Sequence, residues 1–166
     1  TLRPCDLNDV LRSVVALYGT EQHEATVTAD LADGLPPVRW DQDELRRVFL
    51  NLVANAVQAL DPAKGRVRVE VRSRPANVPG TARPGILVTV TDDGVGIPPE
   101  NQARLFEPDF STKSSGTGLG LAICRRILVD LGGEIRIDSE SGTGTTVSSW
   151  FPAAPPEGPA SPTGAA

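Results

Sequence analysis

The sequence predicts an α/β domain, and three observations carry that reading. Residues 41–60 set Leu45, Val48, Phe49, Leu52, Val53, Ala56, Val57 and Leu60 along one helical stripe. Residues 66–71 and 86–91 alternate apolar with polar side chains, the period of a half-buried strand. The 166 residues are 39% hydrophobic and 22% charged, ordinary globular usage in a chain long enough for one core. Aromatics are only 4%, so aliphatic side chains must build that core.

The elements follow in chain order. Asp6 to Leu17 is expected as a helix, with Asp6 as N-cap and Leu7, Val10, Leu11, Val14 and Leu17 on one face. Ala25 to Leu31 alternates like a strand, and Pro36-Pro37 marks a turn. The long helix Asp41–Leu60 closes at Asp61-Pro62 and Gly65. Strands Arg66–Val71 and Ile86–Thr91 are joined by the Pro/Gly-rich stretch 74–85. Asp92 to Ser115 has no clear period and holds five Gly and Pro residues within 94–108, which predicts a functional loop with a short helix near Glu100–Leu105. Leu119 to Leu131 is a helix ended by Gly132-Gly133, and Glu134–Asp138 with Thr145–Phe151 forms a hairpin. The folded domain is therefore expected over residues 1–153, with a leading helix at about 6–17 and a disordered Pro/Ala-rich tail over 154–166.

Composition narrows the function classes. A net charge of −5 argues against a nucleic-acid surface. The absence of a long apolar run argues against a membrane span in this chain. One histidine and two cysteines exclude a zinc cluster and argue against a disulfide framework, and they fit a reducing, cytoplasmic setting. Neither Lys64 nor Lys113 follows a glycine, which excludes a Walker-type phosphate loop. With no methionine even at position 1, the chain is expected to be a piece of a longer protein.

Three features carry chemistry. Asn51 and Asn55 lie four apart on the long helix, and Glu44, Arg47 and Gln58 continue their polar stripe. Asparagine is a mediocre helix former, so two in mid-helix ask for a reason. Their amides suit a hard cation or a phosphate, though a solvated helix face has the same pattern. Asp92-Asp93-Gly94-Val95-Gly96-Ile97 follows a strand. Its glycines either supply positive φ in a turn or let a flat ligand reach the backbone, with a carboxylate placed to accept from an exocyclic amine. Gly116-Thr117-Gly118-Leu119-Gly120 opens a helix, whose free N–H groups and dipole favour phosphate. It is not a dinucleotide fingerprint, because Leu121 stands where the third glycine is needed.

Together these motifs resemble the catalytic ATP-binding domain of sensor histidine kinases, in the superfamily of gyrase, Hsp90, histidine kinase and MutL ATPases. The resemblance covers about Leu7 to Pro152 and is nearest to the nitrogen-regulation type. It implies a Bergerat-type two-layer sandwich, a mixed sheet of about five strands with three helices on one face. It also implies roles. Asn55 would hold Mg²⁺ and Asn51 would face the phosphates of ATP. Asp92 would accept from the adenine amine, with Gly94, Gly96 and Ile97 beside it and Thr145 joining the adenine-bound water. Leu105 to Phe110 would open a mobile lid carrying Lys113, and Gly116, Thr117, Gly118, Leu119 and Gly120 would cover the phosphates.

Two departures stand out. Gln58 and Ala59 occupy positions where many members carry a cation and an aromatic residue, which leaves Lys113 as the expected phosphate partner. His23-Glu24 lacks the following proline of an acceptor motif, so no phosphoacceptor is expected in this chain. The implied activity is transfer of the ATP γ-phosphate to a histidine on a separate dimerisation domain, and onward to a response regulator receiver domain. The chain alone is expected to turn over slowly or not at all. A gyrase-like ATPase would need a glutamate at Asn51, and a purely scaffolding domain would not need Asn55, Asp92 and the glycines intact.

Overall fold

The computed structural model describes residues 2–18, 25–107 and 120–155. The chain order is β1 (Arg3–Cys5), α1 (Leu7–Ala16), β2 (Thr26–Leu31), β3 (Val38–Trp40), α2 (Gln42–Gln58), a 3-10 turn (Pro62–Lys64), β4 (Arg68–Pro75), β5 (Gly85–Asp92), α3 (Pro99–Gln102), α4 (Gly120–Asp130), β6 (Glu134–Glu140) and β7 (Gly144–Pro152). Five strands form one mixed sheet in the order β2-β4-β5-β7-β6. Only β2 and β4 run parallel; the other pairs are antiparallel.

Helices α1 and α2 begin where the sequence supplies a cap. The Asp6 carboxylate accepts from Asn8 N at 2.9 Å, and Asp41 accepts from Asp43 N and Glu44 N at 2.9 and 3.2 Å. Such caps are worth about 1 kcal/mol each. The helix α4 ends as expected: Gly132 takes φ +85°, and Gly133 N donates to Leu128 O at 2.8 Å.

The strands alternate so that one sheet face is buried under the helices. Rows run across it in register: Val71–Val90–Val147–Ile137, and beside it Val69–Asp92–Thr145–Ser139. The helix stripes meet this face, and Leu11, Val14, Leu45, Val48, Phe49, Val53 and Leu128 are fully covered. Phe151 stands between Trp40 and Phe49, with ring centroids 5.3 Å from each. Removing a ring of that kind typically costs about 3–5 kcal/mol.

The expected two-layer α/β architecture is present, with three differences in detail. Strands β1 and β3 were not expected; they pair as a separate ribbon, Arg3 opposite Trp40 and Cys5 opposite Val38. Strand β4 continues to Pro75, beyond Val71, because Ser73 is buried with its hydroxyl satisfied: it donates to Asn8 Oδ1 at 2.8 Å. At the far end, Ala153 N and Ala154 N still bond Pro84 O and Pro37 O, so order extends one residue past the expected boundary at 153. The rest of the expected tail, from 156 onward, lies outside the described residues.

Candidate nucleotide site

The row Val69–Asp92–Thr145–Ser139 marks where the core turns polar at one end of the sheet. Asp92 and Thr145 are 6% and 8% exposed, and both point to the helix side. One Asp92 oxygen accepts from Gly94 N at 2.9 Å. Ser139 is a hub that the sequence did not reveal. Its hydroxyl accepts from Ile97 N at 2.8 Å, donates to Gly144 O at 3.1 Å, and lies 2.7 Å from Thr145 Oγ1. With the serine proton on Gly144 O, the Thr145 hydroxyl must be the donor in that last pair. The Thr145 oxygen thereby keeps its capacity to accept from another donor.

The glycines around Asp92 have a packing reason. A Cβ on Gly94 would collide with the Ala59 carbonyl oxygen, one on Gly96 with Glu140 O, and one on Gly144 with Asp92 O. Gly96 takes φ +73°, whereas Gly94 is not in the left-handed region. So the two glycines differ: Gly96 serves both a turn and close approach, and Gly94 serves close approach by the chain alone. Val95 N donates to Ala59 O at 2.9 Å, which seats the end of α2 on this loop.

The amide pair lies where the helix stripe predicts. Asn51 and Asn55 are half-buried on α2 and face the first residue of α4. A Cβ on Gly120 would stand 3.7 Å from Asn55 Nδ2 and 3.9 Å from Asn51 Cγ, ordinary contact distances. Packing therefore does not require glycine at 120. One turn further along α4, the Cys124 thiol donates to Val48 O at 3.7 Å. Burial pushes its pKa up to about 11, against hydrogen bonding by the Asn51 amide and the charge of Arg47. Cys124 is thus a neutral core thiol, as its surroundings predict.

The loop after β5 is tied down at its start. Gln102 Nε2 donates to Ile97 O at 2.9 Å and to Ser139 O at 3.0 Å. Leu105 is buried, and Phe106 packs on the core with the Arg125 guanidinium 5.1 Å from its ring centre. The expected lid therefore has an anchored beginning, and the short helix is Pro99–Gln102, not 100–105. Lys113, Gly116, Thr117, Gly118 and Leu119 lie outside the described residues, as does His23.

A depression of about 610 Å³ opens at the same end of the sheet. Its walls include Arg68, Glu70, Thr91, Asp138 and Thr146, whose side chains lie on the uncovered face. Five carboxylates, those of Glu70, Asp92, Asp93, Asp138 and Glu140, line it against the one guanidinium of Arg68, a poor seat for a triphosphate. The amide pair and Gly120 lie on the helix side, and that side has the chemistry for phosphate. Among the described residues no group of three His, Cys, Asp or Glu side chains is placed to hold a metal, and no helix is long and apolar enough to cross a membrane.

Comparison with known proteins agrees with this fold. Residues 40–155 match the family described as histidine kinase-, DNA gyrase B- and HSP90-like ATPases. The chain is 34% identical to the sensor histidine kinase ZraS of Salmonella typhimurium over 92% of its own length and 31% of that protein's. It is 34% identical to the sensory histidine kinase/phosphatase NtrB of Vibrio alginolyticus, covering 89% of this chain and 43% of the relative. The chain thus spans less than half of these relatives. Among solved structures, the catalytic domain of histidine kinase ThkA superposes with a TM-score of 0.76 at 26% identity, covering 92% of this chain and 96% of that one. Full-length ShkA in complex with AMPPNP gives a TM-score of 0.76 at 27% identity over 96% of this chain and 33% of ShkA. The family match, the sheet order and the paired asparagines facing Gly120 lead to one assignment: the chain belongs to the histidine kinase-, DNA gyrase B- and HSP90-like ATPases, as a catalytic ATP-binding domain of the sensor histidine kinase type.

Proposed function

We propose that residues 1–153 bind Mg-ATP between α2 and α4 and present its γ-phosphate to a histidine on the dimerisation domain of a longer parent protein, which passes it to a response regulator receiver domain in the cytoplasm. The observation that carries this reading is the pairing of Asn51 and Asn55 with Gly120, in a fold whose register row carries the buried Asp92 and Thr145.

In this reading Asp92 accepts from the exocyclic amine of adenine, and Thr145 offers its oxygen as acceptor to a water on the same base. Gly94, Gly96 and Ile97 hold the loop that frames the base. Asn55 supplies one amide oxygen to Mg²⁺, which suits a metal that takes most of its remaining ligands from water and phosphate. When bound, that ion neutralises charge on the β- and γ-phosphates. Asn51 donates to phosphate oxygen. Lys113, Gly116, Thr117, Gly118, Leu119 and Gly120 complete the phosphate end, with backbone N–H groups aimed at the anion. What the domain contributes is positioning and charge stabilisation; the nucleophile arrives on the other domain.

Calorimetric titration with Mg-ATP and Mg-GTP tests this. The carbonyl at position 6 of guanine faces Asp92 with an acceptor against an acceptor, so GTP should bind at least about tenfold more weakly. Equal affinity for the two would remove Asp92 from the base, and no binding of either would end the nucleotide reading.

A further inference from the structure

The helix α2 runs past the site like a ruler. The carbonyl of its C-cap residue, Ala59, is bonded by Val95 N at 2.9 Å, close to Asp92 in the chain. Four residues back along the same face comes Asn55, four more back Asn51, and both face Gly120. Each step advances about 6 Å along the helix axis. Arg47 comes one turn further back, about 40° around the helix from Asn51. From Ala59 to Arg47 the helix rises about 18 Å, so Arg47 lies one step beyond the amides, on the side away from Asp92.

Arg47 is the charged end of this series. It is exposed, and among the described residues it makes no hydrogen bond and no ion pair, although Asp43 and Glu44 precede it on the same helix. Its neighbour Arg46 is engaged, donating to Ser13 Oγ at 2.8 Å. The two arginines are the only cations in α2, and Gln58 at the other end of the stripe is neutral. The charge of Arg47 acts on the Cys124 thiol of α4, as does hydrogen bonding by the Asn51 amide. That thiol, with a pKa of about 11, offers no counter-charge at neutral pH.

Resting on the Mg-ATP reading above, we propose that Arg47 binds the γ-phosphate and sets the preference of this site for a triphosphate over a diphosphate. The order along α2 is then loop contact beside the base, metal amide, phosphate amide, terminal cation. An arginine suits the last place because its planar fork can hold two phosphate oxygens at once.

The test is calorimetric titration of the chain with Mg-ADP and with Mg-AMPPNP, for wild type, Arg47→Ala and Arg47→Lys. The alanine variant should lose roughly tenfold in AMPPNP affinity while ADP stays within about twofold, since only the triphosphate reaches residue 47. Lysine should recover part of the loss, because it restores charge without the fork. Unchanged ADP binding also shows that the variant is folded. Equal losses for both nucleotides, or no loss for AMPPNP, overturn the assignment to Arg47 and leave the Mg-ATP reading standing. A wild-type chain that binds neither nucleotide overturns that reading, and the role of Arg47 with it.

Discussion

The two ends of the candidate site are built by different means. The base end is made from the sheet: Asp92, Thr145 and Ser139 are neighbours in one register row, and the loop glycines pack against Ala59 O and Glu140 O. The phosphate end is made from two helices, with Asn51 and Asn55 on α2 facing Gly120 at the start of α4. At the first end the protein touches itself so closely that glycine is obligatory. At the second, a methyl group would fit. The same residue type thus marks a structural demand in one place and leaves room for something other than protein in the other.

The largest effect should come from Gly94→Ala. The new Cβ would meet the Ala59 carbonyl, so either the loop or the end of α2 must move. Overpacking of this kind typically costs about 1–3 kcal/mol. Thermal unfolding should show a lowered midpoint, and ADP binding should weaken with it. A variant as stable as wild type would show that this end is less tightly built than its geometry indicates.

Next is Asp92→Asn, which leaves size and packing almost unchanged. The proposed contact to adenine is a hydrogen bond to a charged acceptor, worth about 1.5–3 kcal/mol, so ADP affinity should fall roughly tenfold to a hundredfold. The unfolding midpoint should move far less than for Gly94→Ala. Undiminished ADP affinity would detach the base end from the base.

The phosphate end calls for a different readout. In Asn55→Ala, adding Mg²⁺ should no longer tighten ATP, while metal-free binding stays near wild type. If Mg²⁺ enhances affinity as before, the metal ligand lies elsewhere. Gly120→Ala should then have the smallest effect on the fold: its Cβ fits, and alanine is the better helix former by up to about 1 kcal/mol. Stability equal to or above wild type, with weakened nucleotide binding, is the expected pair of results. Destabilisation would make Gly120 a packing glycine like Gly94 and erase the contrast.

The same division explains what the sequence revealed. Helix α2 was legible because its stripe is local: Leu45, Val48 and Leu52 announce the period, and the asparagines follow from it. Strands β1 and β3 have three residues each, too few to alternate visibly. The extension of β4 was hidden by Ser73, a polar residue at a core position whose partner, Asn8, lies 65 residues away. Ser139 gave no signal at all, since its role comes from standing opposite Thr145 in the β6–β7 ladder. Gly94 was noticed as a candidate for ligand approach, but the atom that needs the space is Ala59 O, which only tertiary structure brings there.

The three-residue circuit under α1 has a consequence for how the domain can be cut. Ser73 Oγ donates to Asn8 Oδ1 at 2.8 Å and accepts from Ala32 N at 3.1 Å, and Asn8 Nδ2 returns to Ala32 O at 2.8 Å. Helix α1, the chain just after β2 and strand β4 are thus joined through the buried side chains of Asn8 and Ser73. The region that matches the family begins at residue 40, yet Leu7, Leu11 and Val14 ahead of it are fully buried in the same core. A chain started at residue 40 would leave the Ser73 hydroxyl without its buried partner Asn8 and strip one helix from the sheet. The leading segment is therefore expected to melt with the sheet as one cooperative unit, α1 and β4 amides showing the same protection in hydrogen exchange.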